Sequence, residues 1–241
     1  MDIVKNLDGI VVNLVDYKDN DVIATFLTKQ YGFIQVYVKG RKKISSKSYY
    51  LINEFNEIKF DLSKLNLSGL STFKSGTSTT MLDYTNLSVE ASACLMLMGE
   101  LLNKIKSNNE FNHDAFYKHT KHTIHELSSD NHLYEALNKF IYQVLKINGI
   151  TLVIDRCVSC ANNSSIVGFD INNHGFICSD CLHENTESII SDRKVLETIY
   201  LLDSDTYKAS GSSVDKTVFK LLYYYLKEDL GIYLKSGQYL Y

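Results

Sequence analysis

The chain has 241 residues, 45% of them hydrophobic and 22% charged, with a net charge of −3. That length allows one large domain or two to three small ones with real cores, and that composition excludes a disordered chain. No apolar run reaches the ~18 residues of a membrane-spanning helix, and the N-terminal stretch lacks the small-residue cleavage pattern of an export signal, so a cytoplasmic protein is expected.

Charge is unevenly spread. Residues 1–80 hold 11 Lys and Arg against 8 Asp and Glu, whereas residues 151–241 hold 8 against 12. A polyanion should meet the first third of the chain. Proline is absent, so element boundaries must be read without it.

Residues 9–39 read as strands: GIVVNLV, then DVIATFLT after the polar break DYKDN, then YGFIQVYVKG. In the last, Ile34, Val36 and Val38 alternate with Phe33, Gln35, Tyr37 and Lys39, the period of a half-buried strand. GRKKISSKS is a basic loop. YYLINEFNEIKFDL reads as one longer strand, with Leu51, Asn53 and Phe55 on one face, and GLSTFKSGTS as a fifth. Five strands with no room for crossover helices predict a small antiparallel barrel.

The period changes near residues 75–85, which places a domain boundary there: a barrel over 1–80 and a helical domain over 81–241. NLSVEASACLMLMGELLNKIK is apolar around most of its circumference and should be buried, with Cys94 a small hydrophobe inside it. DAFYKHTKHTIHEL and HLYEALNKFIYQVLKINGI follow with helical spacing, the second striped by Leu133, Leu137, Phe140, Ile141 and Val144 and stopped at Gly149. Two closing helices are DRKVLETIYLLD and VDKTVFKLLYYYLKEDLG, the last with Ser212 and Asp215 in capping-box spacing and an end at Gly231. The fold class is α+β, in more than one domain.

Four of the five cysteines form two C-x-x-C knuckles, Cys157/Cys160 and Cys178/Cys181, with 17 residues between them. This spacing is that of a four-sulfur zinc site, and SIVGFDINNHGFICS supplies a hairpin between the knuckles with NNHG as its turn. Four cysteines leave no open ligand position, so one structural zinc over a module at 155–183 is expected. Iron–sulfur ligation is the weaker alternative, and a dithiol redox pair would want a single C-x-x-C beside a βαβ unit. His174 and His183 read as solvated loop residues. His119, His122 and His125 recur every three residues, which turns each about 60° from the last, so they read as a polar face and not as a second metal site.

The basic loop carries Lys39, Arg41, Lys42, Lys43 and Lys47, and leaves a strand that bears Tyr37. Cations that track phosphates beside rings that stack on bases are how barrels hold single strands, and Lys29 extends the patch. A solvated charge run is the plainer alternative. No phosphate-binding loop, dinucleotide fingerprint, nucleophile elbow or H-E-x-x-H motif is present, and Asp203 and Asp205 read as a solvated helix end. No enzyme activity is expected.

These parts occur in a recognisable order: GIVV with DY, then FLTK with YG, then VKGRKK, later LKINGI, RCVSC and GFICSDC, and a closing LKEDLGIYLKS. In that order the chain resembles the bacterial RecO family, the recombination mediators of DNA repair. The resemblance implies an N-terminal OB-fold and a helical domain carrying the zinc module. It implies binding of single- and double-stranded DNA, annealing of complementary strands, and work with the partner RecR. It also implies contact with the acidic tail of single-strand binding protein, so that the recombinase loads onto covered DNA, and a place at the nucleoid. Lys39, Arg41, Lys42 and Lys43 fall where the family has its basic loop, and the four paired cysteines match those of many members. The chain departs from the family in lacking a proline before the first cysteine pair and in its net acidic helical domain. A zinc-stabilised protein-interaction adaptor, and more remotely an RNA-binding barrel, remain the alternatives that DNA affinity separates.

Overall fold

The structure is a computed structural model that describes residues 4–106, 110–130, 132–183, 188–204 and 211–240. Contacts divide the chain into two compact units, residues 1–131 with 234–241, and residues 132–233. Among the described residues no helix is long and apolar enough to cross a membrane.

The first unit begins with five strands: β1 Val4–Tyr17, β2 Asp21–Thr28, β3 Gly32–Val38, β4 Glu57–Lys64 and β5 Leu70–Thr80. They close into a barrel in the order β1-β2-β3-β5-β4. All pairs are antiparallel except β3 with β5, which run parallel, so the expected barrel forms with one parallel seam. Alternate side chains fill it: Val22, Ala24 and Phe26 from β2, Ile34, Val36 and Val38 from β3, Ile58, Phe60 and Leu62 from β4. Gly9 makes room in β1. A Cβ there would lie 2.7 Å from the ring of Phe60, which stacks on Phe26 at 4.7 Å between centroids.

The segment expected as one strand over 49–62 is not one. Ser48–Leu51 is a short helix, α1, and β4 starts only at Glu57. Leu51 and Phe55 would share one face of an alternating strand, but Ile52 between them is buried too, which alternation does not allow for a half-buried strand. Leu51 and Ile52 enter the barrel core. Asn56, almost fully buried, donates from Nδ2 to the Tyr50 and Leu51 carbonyls and so holds the end of the turn.

Two helices complete this unit, α2 Val89–Ile105 and α3 His113–Ser128, with Ser88 and Asn112 as N-caps accepting from Ala91 and Ala115. Cys94 is fully buried on α2. Phe33 meets Phe111 and Phe116 edge-on, and Lys121 on α3 reaches the buried Glu57 carboxylate at 2.6 Å, so α3 is fastened to the barrel. The last turn of the chain returns here. The Glu100 carboxylate of α2 accepts from the Lys235 and Ser236 amides and from the Ser236 hydroxyl.

The second unit packs α4 Leu133–Ile147, α5 Arg193–Tyr200 and α6 Ser212–Glu228. The stripe from Leu133 to Val144 is buried, and Tyr134 meets Phe219 of α6 edge-on. Gly149 ends α4 as expected, at φ +87°, with the Ile150 amide on the Leu145 carbonyl and the Gly149 amide on the Lys146 carbonyl. At α6 the expected cap shifts by a residue. Gly211 is the N-cap, and the Asp215 carboxylate accepts from the Gly211 amide, while Ser212 lies already inside the helix. Asp203 pairs with Lys146 at 2.6 Å and is therefore not a purely solvated end; Asp205 lies outside the described residues.

Candidate metal centre and nucleic-acid surface

Between α4 and α5 a small sheet is built from β6 Val153–Cys157, β7 Ile166–Asp170, β8 Gly175–Cys178 and β9 Ile189–Ile190, ordered β6-β8-β7-β9. The β7–β8 hairpin is the one expected between the cysteine pairs. Its turn is set by Asp170, whose carboxylate accepts from the Asn172 and Asn173 amides and from the Asn173 side chain. Each cysteine pair folds into a tight turn. The Ala161 amide donates to the Cys157 carbonyl, and the Cys181 and Leu182 amides donate to the Cys178 carbonyl.

These turns bring all four Sγ atoms within 4.8 Å of one another, and this is the one such group of potential metal ligands among the described residues. Cys160 and Cys178 are 3.7 Å apart, and no disulfide joins any of the four. A zinc tetrahedron with sulfurs at about 2.3 Å has edges of about 3.8 Å, so the thiols fit the ion. Cys157 and Cys178 are buried, Cys160 is exposed and Cys181 half-buried. The thiols hold charge unequally on their own. Burial opposes the Cys157 thiolate, yet backbone amides of Cys160, Cys178 and Ser159 outweigh it and bring that thiol down to about 6. Hydrogen bonds with Cys160 and Cys178 push Cys181 up to about 12. A bound dication is what lets four such sulfurs ionise together.

The module's own apolar core is Cys157, Ile177 and Cys178 with Ile166, Cys181 and Ile189 against it. Phe169 of β7 and Phe176 of β8, both buried, meet edge-on at 5.8 Å beside it. Its other anchor is α6. The buried Tyr225 hydroxyl donates to the Ile171 carbonyl, and His174 lies against the Tyr225 ring with Nε2 2.8 Å from the Asp229 carboxylate. His174 is thus a docking residue and not the solvated loop residue expected. His183 is exposed, and His119, His122 and His125 join no metal-ligand group.

On the barrel, the basic loop runs from Lys39 to Lys47 and its root is fixed. Gly40, at φ +66°, donates its amide to Asp21 Oδ1 at 2.7 Å, and the Tyr37 hydroxyl donates to Asp21 Oδ2. Tyr37 also meets Tyr17 of β1 edge-on at 5.9 Å. The expected binding residues divide into two groups. Arg41 donates to the Ile52 carbonyl and the Asn53 side chain and lies over the Tyr49 ring; Lys42 pairs with Asp16 at 2.7 Å; Lys29 pairs with Asp114 at 3.7 Å. Lys39, Lys43 and Lys47 are exposed and make no ion pair among the described residues. Tyr17, Lys18 and Tyr49 were not singled out from the sequence. Their signal was the DYKDN turn and the YY pair after the loop, which only the fold brings to it.

Compared with known proteins, the family described as Recombination protein O N terminal matches residues 1–81, and that described as Recombination protein O C terminal matches residues 87–238. The chain is 24% identical over 235 residues to a protein of Mesoplasma florum named DNA repair protein RecO, covering 93% of this chain and 86% of that one. Proteins of the same name from Oceanobacillus iheyensis and Mycoplasma capricolum are 24% and 27% identical, over 96% of this chain and 91% and 95% of theirs.

Proposed function

The chain belongs to the RecO family of DNA repair proteins, and from that premise we propose that it is a non-enzymatic mediator that binds single- and double-stranded DNA and anneals complementary strands. On this reading residues 1–80 are the nucleic-acid-binding domain and residues 81–241 the helical domain. Its partners are DNA, RecR and the acidic tail of single-strand binding protein. It works in the cytoplasm, at the nucleoid, helping the recombinase onto covered DNA.

The observation that carries the reading is the rooted loop on a closed barrel. Its base is held by Asp21, while Lys39, Lys43 and Lys47 stand in solvent. Ammonium groups there neutralise phosphates and release counterions, which lowers the repulsion between two strands brought together. The loop's fixed root lets it do so without first being ordered, which saves binding free energy.

Cys157, Cys160, Cys178 and Cys181 would hold one zinc, which when bound supplies the folding energy of the module and, with no open position, no chemistry on a substrate. The residues of this chain do the rest: Asp170 shapes the hairpin turn, and Tyr225 and Asp229 seat it on α6.

The test is a titration of labelled single- and double-stranded DNA, and of RNA as competitor, across salt concentrations. Three phosphates neutralised by Lys39, Lys43 and Lys47 give a slope of log K on log salt of about −2 on single strands. Binding without salt dependence, or no binding by the folded protein, would leave a zinc-stabilised adaptor that acts through proteins alone.

A further inference from the structure

The β1–β2 turn, residues 18–20, lies against the basic loop. The Lys42 amide donates to the Asn20 carbonyl at 3.0 Å, and the Lys42 ammonium reaches Asp16. Tyr17, at the end of β1, is 40% exposed, with the Lys18 ammonium 5.3 Å from its ring centroid. Tyr37, by contrast, spends its hydroxyl on Asp21, and its ring stands perpendicular to that of Tyr17. Among the acids of the turn, Asp21 is held by Tyr37 and Gly40, the exposed Asp16 pairs with Lys42, and Asp19 is exposed.

Resting on the reading of this face as a DNA-binding surface, we propose that the turn is its second half and that Tyr17 is a nucleobase subsite. A base of a single strand takes the face of Tyr17 over which the Lys18 ammonium stands, and moves that ammonium aside to a flanking phosphate. Lys18, Lys39 and Lys43 neutralise the flanking phosphates. Arg41 is a positioning residue. Its guanidinium is committed to the Ile52 carbonyl, the Asn53 side chain and the Tyr49 ring, and so holds the loop in shape without touching a phosphate. A planar fork that makes two bonds and a stacking contact cannot be replaced by an ammonium.

The experiment measures affinity for an oligo-dT strand over a series of salt concentrations, and for the same strand made abasic, with variants whose folding is checked by thermal melting. Lys18→Gln, Lys39→Gln and Lys43→Gln are each expected to make the log–log slope shallower by about 0.7. Tyr17→Ala is expected to weaken the dT strand about tenfold and the abasic strand hardly at all. Arg41→Gln and Arg41→Lys are expected to weaken binding equally, with the slope of the parent, because both lose the fork and the charge that Gln also loses meets no phosphate. Three results would overturn the proposal: rescue by Arg41→Lys, an unchanged slope in Lys18→Gln, or an equal loss from Tyr17→Ala on both strands. A parent protein that shows no salt-dependent DNA binding would instead sink the functional reading beneath it.

Discussion

Asp21 shows how one side chain can tie three pieces of chain. It lies at the start of β2, accepts from the Tyr37 hydroxyl of β3, and accepts from the amide of Gly40 in the loop. The Tyr37 hydroxyl first, and then the Gly40 amide, hold its carboxyl below the usual aspartate value. A carboxyl depressed on folding stabilises fully above the unfolded value, about 3.9, and loses that contribution as pH falls through the folded one. The loop root should therefore stay intact down to about pH 4 and loosen only below it. Following the Gly40 amide resonance against pH checks this, with Asp21→Asn expected to abolish the acid transition. A transition near neutral pH would mean that another group holds the loop. At this scale the sequence was legible where chemistry is local. The four cysteines could be paired by spacing, but the bond from Tyr37 to Asp21, 16 residues apart, needed the β2–β3 register.

At the scale of elements, the hydrophobic period located the strands of the barrel and all the long helices. It failed at residues 48–56, where a short helix turns the adjacent Leu51 and Ile52 both into the barrel core. The cap of α6 also moved, because Gly211, at φ +115°, turns the chain in ahead of Ser212. In the cysteine module, β8 crosses β6 so closely that a Cβ on Gly175 would lie 2.9 Å from the Val153 side chain and 3.0 Å from its carbonyl. The zinc proposed for the four sulfurs would add its binding free energy to the stability of these strands. Cys160→Ser, or a strong chelator, is expected to remove about one equivalent of zinc and to abolish amide protection across residues 153–178, while the barrel strands keep theirs. Hydrogen exchange with a metal assay reads both. Protein that is metal-free and fully protected there would contradict a structural zinc.

At the scale of the molecule, the change of period near residue 80 marks where strands give way to helices. Which helices a barrel recruits depends on contacts distant in sequence, such as Lys121 with Glu57, and these carry no local signal. The same holds for the chain's last turn. Glu100 gathers the two amides and the hydroxyl at Lys235 and Ser236, 135 and 136 residues away, and buries Leu234 and Leu240 with them. Glu100→Ala should lower the stability of the first unit by about 1–2 kcal/mol, by freeing three donors, and leave hydrogen exchange in the second unit unchanged. Equal losses in both would show that the returning segment supports the whole chain.

The central claim is that the barrel face acts on DNA strands as a mediator, and annealing tests it most directly. Complementary strands covered with the cognate single-strand binding protein are mixed with and without zinc-loaded protein at two salt concentrations. Faster annealing with the protein is expected, with a smaller acceleration at the higher salt. No acceleration by folded, zinc-loaded protein at either salt would contradict it.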